Sequence, residues 1–94
     1  METLTIPARD NNIHTLANNL DRVINFPKNS KYAVVLADYY GGKGYTTHKT
    51  SDAAIAQSNM VSDYSHQIVD IDGNAYAENC PGELVHTHNV VAGE

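Results

Sequence analysis

The sequence predicts an α+β domain: an antiparallel sheet of four to six strands with two helices on one face. The predicted order is β-α-β-β-α-β-β, with a further strand at the end. Three observations carry this. Apolar residues spaced three, four and seven apart occur early in the chain. Short runs rich in β-branched and aromatic residues recur after them, and glycine-containing turn signals separate those runs. Ninety-four residues with 41% hydrophobic content make one domain, 1–94, with one small core.

Residues 2–6, "ETLTI", alternate polar and apolar and read as a short strand stopped by Pro7. Next, "DNNIHTLANNLDRVINFP" places Ile13, Leu16, Ala17, Leu20, Val23 and Ile24 on one helical stripe. Asp10 or a neighbouring asparagine caps it, and Pro27 ends it. "KYAVVLADYY" is apolar without interruption from Tyr32 to Ala37 and reads as a central strand covered on both faces. "GYTTHKT" alternates again, with Tyr45, Thr47 and Lys49 on one side and Thr46, His48 and Thr50 on the other. The glycine stretch between these two runs makes them a hairpin.

Thr50-Ser51-Asp52 is a helix start, with a capping hydroxyl and an acidic first turn. "SDAAIAQSNMVSDY" follows as the second helix. Ala53, Ala56 and Met60 lie on one side, with Ala54 and Val61 near it. "HQIVDIDGNAYAE" is a second hairpin turning at Asp72-Gly73-Asn74. "ELVHTHNVV" places Leu84, His86 and His88 on one face; residues 79–94 end the domain as an edge strand or an extended tail.

Charge is distributed unevenly. Net charge is −5, and all six basic residues precede residue 50. Residues 51–94 carry seven carboxylates and no lysine or arginine. Direct nucleic-acid binding is therefore not expected, since phosphate contacts need clustered cations. The longest apolar run is too short for a membrane span, and "METLTIPARD" lacks the pattern of a secretory leader. Cys80 is the only cysteine, so no internal disulfide framework is expected. These features point to a cytoplasmic protein.

Candidate chemistry is sparse. Gly41-Gly42-Lys43-Gly44 lacks the spacing, the hydroxyl and the helix of a phosphate loop. It reads as a hairpin tip, where Tyr39, Tyr40, Lys43 and Tyr45 form a protein-contact surface unless the rings pack inward. His86 and His88 offer half of a metal site; a third ligand would have to come from Cys80, Glu83, His48 or His66 in space and no metal signature is present, so neither a metal nor any other cofactor is expected. Cys80 with His86, and the pair Asp70 and Asp72, lack the surroundings of catalytic groups. The acidic half, with Asp63, Asp70, Asp72, Glu78 and Glu83 as its exposed members, is expected to form a continuous negative region facing a basic partner.

Lys31 to Tyr76, "KYAVVLADYYGGKGYTTHKTSDAAIAQSNM…HQIVDIDGNAY", runs strand, glycine tip, strand, "T-x-x-A-A" helix, strand, "DGN" turn, strand. In size, charge and architecture the chain resembles the small α+β counter-defence proteins of phages and plasmids, including anti-CRISPR proteins. That resemblance implies an inhibitor that occupies a surface on a larger nucleic-acid-processing complex. The expectation is a non-enzymatic binding protein. Two other readings stand beside it: a histidine-based metal-binding protein or enzyme, and an accessory subunit that self-assembles, for instance as a homodimer, through a sheet edge.

Overall fold

The computed structural model describes residues 2–6, 22–36, 44–63, 66–79 and 82–90. Seven strands and one helix occur among them: β1 (Glu2–Ile6), β2 (Arg22–Phe26), β3 (Tyr32–Leu36), β4 (Tyr45–His48), α1 (Ser51–Met60), β5 (His66–Asp70), β6 (Asn74–Asn79) and β7 (Glu83–Asn89). β1 and β2 form an antiparallel ribbon, and the other five strands form an antiparallel sheet in the order β4-β3-β5-β6-β7. The fold is α+β, as the sequence predicts. β1, the β3–β4 and β5–β6 hairpins, α1 and a final edge strand all appear.

The first predicted helix is corrected at its end. Arg22–Phe26 is a strand, paired from Glu2↔Phe26 to Ile6↔Arg22. Its burial has period two: Ile24 and Phe26 are fully buried, while Val23 is 49% exposed. β-branched and aromatic side chains suit a pleated surface, and here that preference prevails over the helical spacing. The remainder of that predicted helix lies outside the described residues.

Two side-chain clusters sit on opposite faces of the five-stranded sheet. Ala33, Val35, Val69 and Ala75 point to one face and pack with Leu4, Ile24, Phe26 and Val90. The ribbon therefore covers this face. Val34 and Ile68 point the other way and pack against Ala54 of α1. Among the described residues the result is three layers, ribbon, sheet and helix, with α1 on the face opposite the ribbon. β3 has consecutive buried residues because it is covered on both sides. It lies one strand in from the edge, and β5 takes the middle.

Local chemistry fixes the elements. Thr50 caps α1, its hydroxyl accepting from Ala53 N–H at 3.1 Å. The buried stripe of α1 is Ala54 and Ser58, with Val61 packed beside it. Ala53 and Ala56 face solvent and Met60 is 80% exposed, so the predicted Ala53, Ala56 and Met60 side is the outer one. The β5–β6 turn closes by a Gly73 N–H to Asp70 carbonyl bond of 3.0 Å, and Gly73 has φ +88°, a left-handed conformation that glycine adopts without strain. Val90 N–H then bonds the Gly73 carbonyl at 2.7 Å and pins the end of β7 to that turn.

Candidate functional site

Among the described residues, α1 packs chiefly on β3, β4 and β5, leaving the β6–β7 half of its face open. Strand register sets what lies there. Tyr76 is opposite His86, and Glu78 is opposite Leu84. The Tyr76 ring meets His86 edge-on at 5.9 Å and Tyr32 at 6.4 Å, so three rings run across the sheet. Glu78 and His86 are exposed, and Tyr76 and Leu84 are half-buried.

Between the end of α1 and this open half lies a cleft of about 340 Å³. Ser58, Asn59 and Ser62 line it from the helix side, and His66, Tyr76 and Glu78 from the strands. Its position follows from the strand pairing, because the β5–β6 ladder has only the pairs Ile68↔Tyr76 and Val69↔Ala75. Gln67 closes the ladder end, its side-chain amide donating to the Tyr76 carbonyl at 2.6 Å. The Asn59 amide faces Glu78 across the cleft; turned so that its nitrogen points at the carboxylate, it reaches the two Glu78 oxygens at 3.2 and 3.3 Å.

Ser58 Oγ lies 2.6 Å from His66 Nε2. Ser58 is only 4% exposed, so the pair ties α1 to β5 and does not present a nucleophile to solvent. Sequence reasoning passed over Ser58 and Asn59 and weighed His66 only as a distant third metal ligand. One signal was available: Ser58 follows Ala54 by four residues, and a hydroxyl on a buried stripe needs a partner.

Of the residues expected to bind a partner, Tyr39, Tyr40 and Lys43 lie outside the described residues. Tyr45 is a packing residue: its ring packs against the ribbon-side core, and its hydroxyl accepts from Asn25 N–H at 3.1 Å. Asp63 is exposed in the turn after α1, one residue beyond Ser62 of the cleft. Glu78 and Glu83 are exposed on β6 and β7. Asp72 is exposed at the opposite end of the β5–β6 hairpin.

Asp70 is committed to structure. Its Oδ1 accepts from Asp72 and Asn74 N–H at 2.9 Å each, and its Oδ2 from the Asn74 amide at 3.1 Å and the Tyr76 hydroxyl at 2.7 Å. Burial pushes its carboxyl up, but the hydrogen bonds outweigh burial and hold it below the usual range. The Tyr76 hydroxyl is pushed up to about 12, first by burial and then by its bond to Asp70 and that residue's charge.

The structure thus divides the expected acidic region in two. At the turn end, the Lys31 carbonyl accepts from Ile71 N–H and the Lys31 N–H donates to the His48 carbonyl, which places Lys31 and Lys49 at the same end of the sheet as Asp72. At the cleft end stand Asp63, in the turn after α1, and Glu78 and Glu83, on β6 and β7, segments that carry no lysine or arginine.

His86 and His88 do not share a face. Ala75 is opposite His88 and Tyr76 is opposite His86, which leaves Thr87 as an extra residue in a β-bulge. Ala75 and Tyr76 are neighbours that point to opposite faces, so the two imidazoles diverge as well. The Thr87 hydroxyl donates to the Ala75 carbonyl at 3.1 Å and holds the bulge. Among the described residues, no three of His, Cys, Asp and Glu are placed to hold a metal ion. None of the described helices is long and apolar enough to cross a membrane.

Comparison with protein families, with curated proteins and with solved structures finds no match for the chain.

Proposed function

We propose that this chain is a binding protein that inhibits or modulates a larger complex by covering a basic, nucleic-acid-facing surface. One observation carries the reading. Glu78 and Glu83, with Asp63 nearby, are exposed at the open end of the sheet, on elements without a single lysine or arginine. Tyr76, Leu84 and His86 lie on the same face as Glu78 as a partly apolar centre. Rings surrounded by a charged rim are the composition of a protein-contact surface. Likeness in size and charge to phage and plasmid counter-defence proteins supports the same class.

Affinity capture from a host lysate, with identification by mass spectrometry, tests the proposal. The expected capture is a nucleic-acid-processing complex whose nucleic acid competes with this chain. A captured partner that binds its nucleic acid and this chain together would refute it.

The β7 edge supports a second reading, self-association through sheet pairing. Val85 on that edge is 48% exposed. The Thr87 bulge works against it, since a bulged edge is a poor template for another strand. A concentration-dependent dimer that Val85→Lys abolishes would favour this second reading.

A further inference from the structure

The geometry points to an arginine side chain of a partner as the group that the cleft between α1 and β6 receives, its guanidinium paired with Glu78 and lying against Tyr76. This rests on the reading above that the partner is a basic protein, and it names the residue that anchors it.

Glu78 is exposed, and the Asn59 amide faces both of its oxygens from the helix side, within donating distance once its nitrogen is turned toward the carboxylate. A carboxylate has about four acceptor sites, so it retains capacity for a second forked donor. Arginine presents such a fork, and lysine does not.

Tyr76 supplies the flat wall. Its hydroxyl is held by Asp70 and its ring is flanked by Tyr32 and His86, so its orientation is set before anything binds. A weakly hydrated planar cation gains from an aromatic ring at such a wall. Ser62 places an exposed hydroxyl acceptor on the opposite side. No lysine or arginine is among the described residues lining the cleft, so its carboxylate has no internal cation there. A metal ion would need further carboxylate or imidazole ligands that the described residues do not bring together.

The test titrates N-acetyl-arginine amide, N-acetyl-lysine amide and N-acetyl-citrulline amide into the isotope-labelled full chain and follows backbone amide resonances. Arginine should shift Asn59, Ser62 and Glu78 saturably. Citrulline, which has the same shape without the charge, should not, and lysine should bind about fivefold more weakly because it lacks the fork. Glu78→Gln should weaken arginine roughly tenfold, and Asp72→Asn should leave it unchanged. An equal response to lysine, any saturable response to citrulline, equal losses in the two variants or no saturable shift would overturn the inference. Arginine binding without a basic partner in the lysate would leave the cleft standing and sink the inhibitor reading. A captured partner whose binding survives Glu78→Gln unchanged would do the reverse.

Discussion

At Asp70 two opposing effects act on one carboxyl. Burial favours the neutral form, while four donors favour the anion and prevail. A depressed carboxyl contributes stability that is fully present above the ordinary aspartate range, near pH 4, and lost as pH falls through its lower folded value. Asp70→Asn should therefore cost about 1 kcal/mol at pH 7, the low end for charge-assisted bonds because the group is half-exposed and screened. It should cost much less near pH 2. Urea unfolding at both pH values measures this, and an equal loss at each would show that the charge is irrelevant. Tyr76 has the opposite sign. Its hydroxyl is raised to about 12, so its contribution is complete below pH 10 and lost as pH rises through 12. Tyr76→Phe should flatten that part of the alkaline stability curve. An unchanged alkaline limb in the variant would mean that ionisation of the Tyr76 hydroxyl is not what limits stability at high pH.

At the level of elements, β2 separates the two ways of reading one segment. A helix through residues 22–26 puts Val23 and Ile24 together on its stripe, whereas the strand buries Ile24 and Phe26 and exposes Val23. Ile24→Ala should cost about 2–5 kcal/mol, the range for a fully buried aliphatic, and Val23→Ala less than about 1. Similar losses at both positions in thermal unfolding would contradict the strand. The comparison also shows what was legible in the sequence. Where a local signal decides the outcome, as with the Thr50 cap, the "DGN" turn or the unbroken apolar run of β3, the sequence reading and the structure agree. Where partners distant in the chain decide it, they diverge. β2 is a strand because β1 pairs with it, and α1 buries Ala54 and Ser58 because Val34 and Ile68 lie beneath them. The Thr87 bulge depends on the Ala75 carbonyl across the ladder, so strict alternation wrongly put His86 and His88 on one face. The carboxylates were visible as candidates. Their division into a structural one, a lysine-flanked one and an open group was not, because that sorting is set by the fold.

Across the whole molecule, negative charge is concentrated without being continuous. Lys31 and Lys49 stand at the Asp72 end, and exposed opposite charges partly cancel each other's field. Asp63, Glu78 and Glu83 lie at the other end, on elements without lysine or arginine. On the proposed reading, a basic surface would be drawn most strongly to that end, with the gain mainly in association rate and specificity. Salt removes the gain for charges separated by more than about 8 Å at physiological ionic strength. Changing Asp63, Glu78 and Glu83 together to their amides should therefore slow association with the captured partner and flatten its dependence on salt. Melting temperature should hardly move, because all three side chains are exposed. Asp72→Asn, which removes one charge from the mixed end, should change the salt slope much less. Stopped-flow association rates over a range of ionic strengths, with thermal unfolding of each variant as a control, separate the outcomes. If the triple variant associates as fast as the natural chain at low salt, or if Asp72→Asn flattens the slope as much as the triple change, the cleft end does not steer recognition.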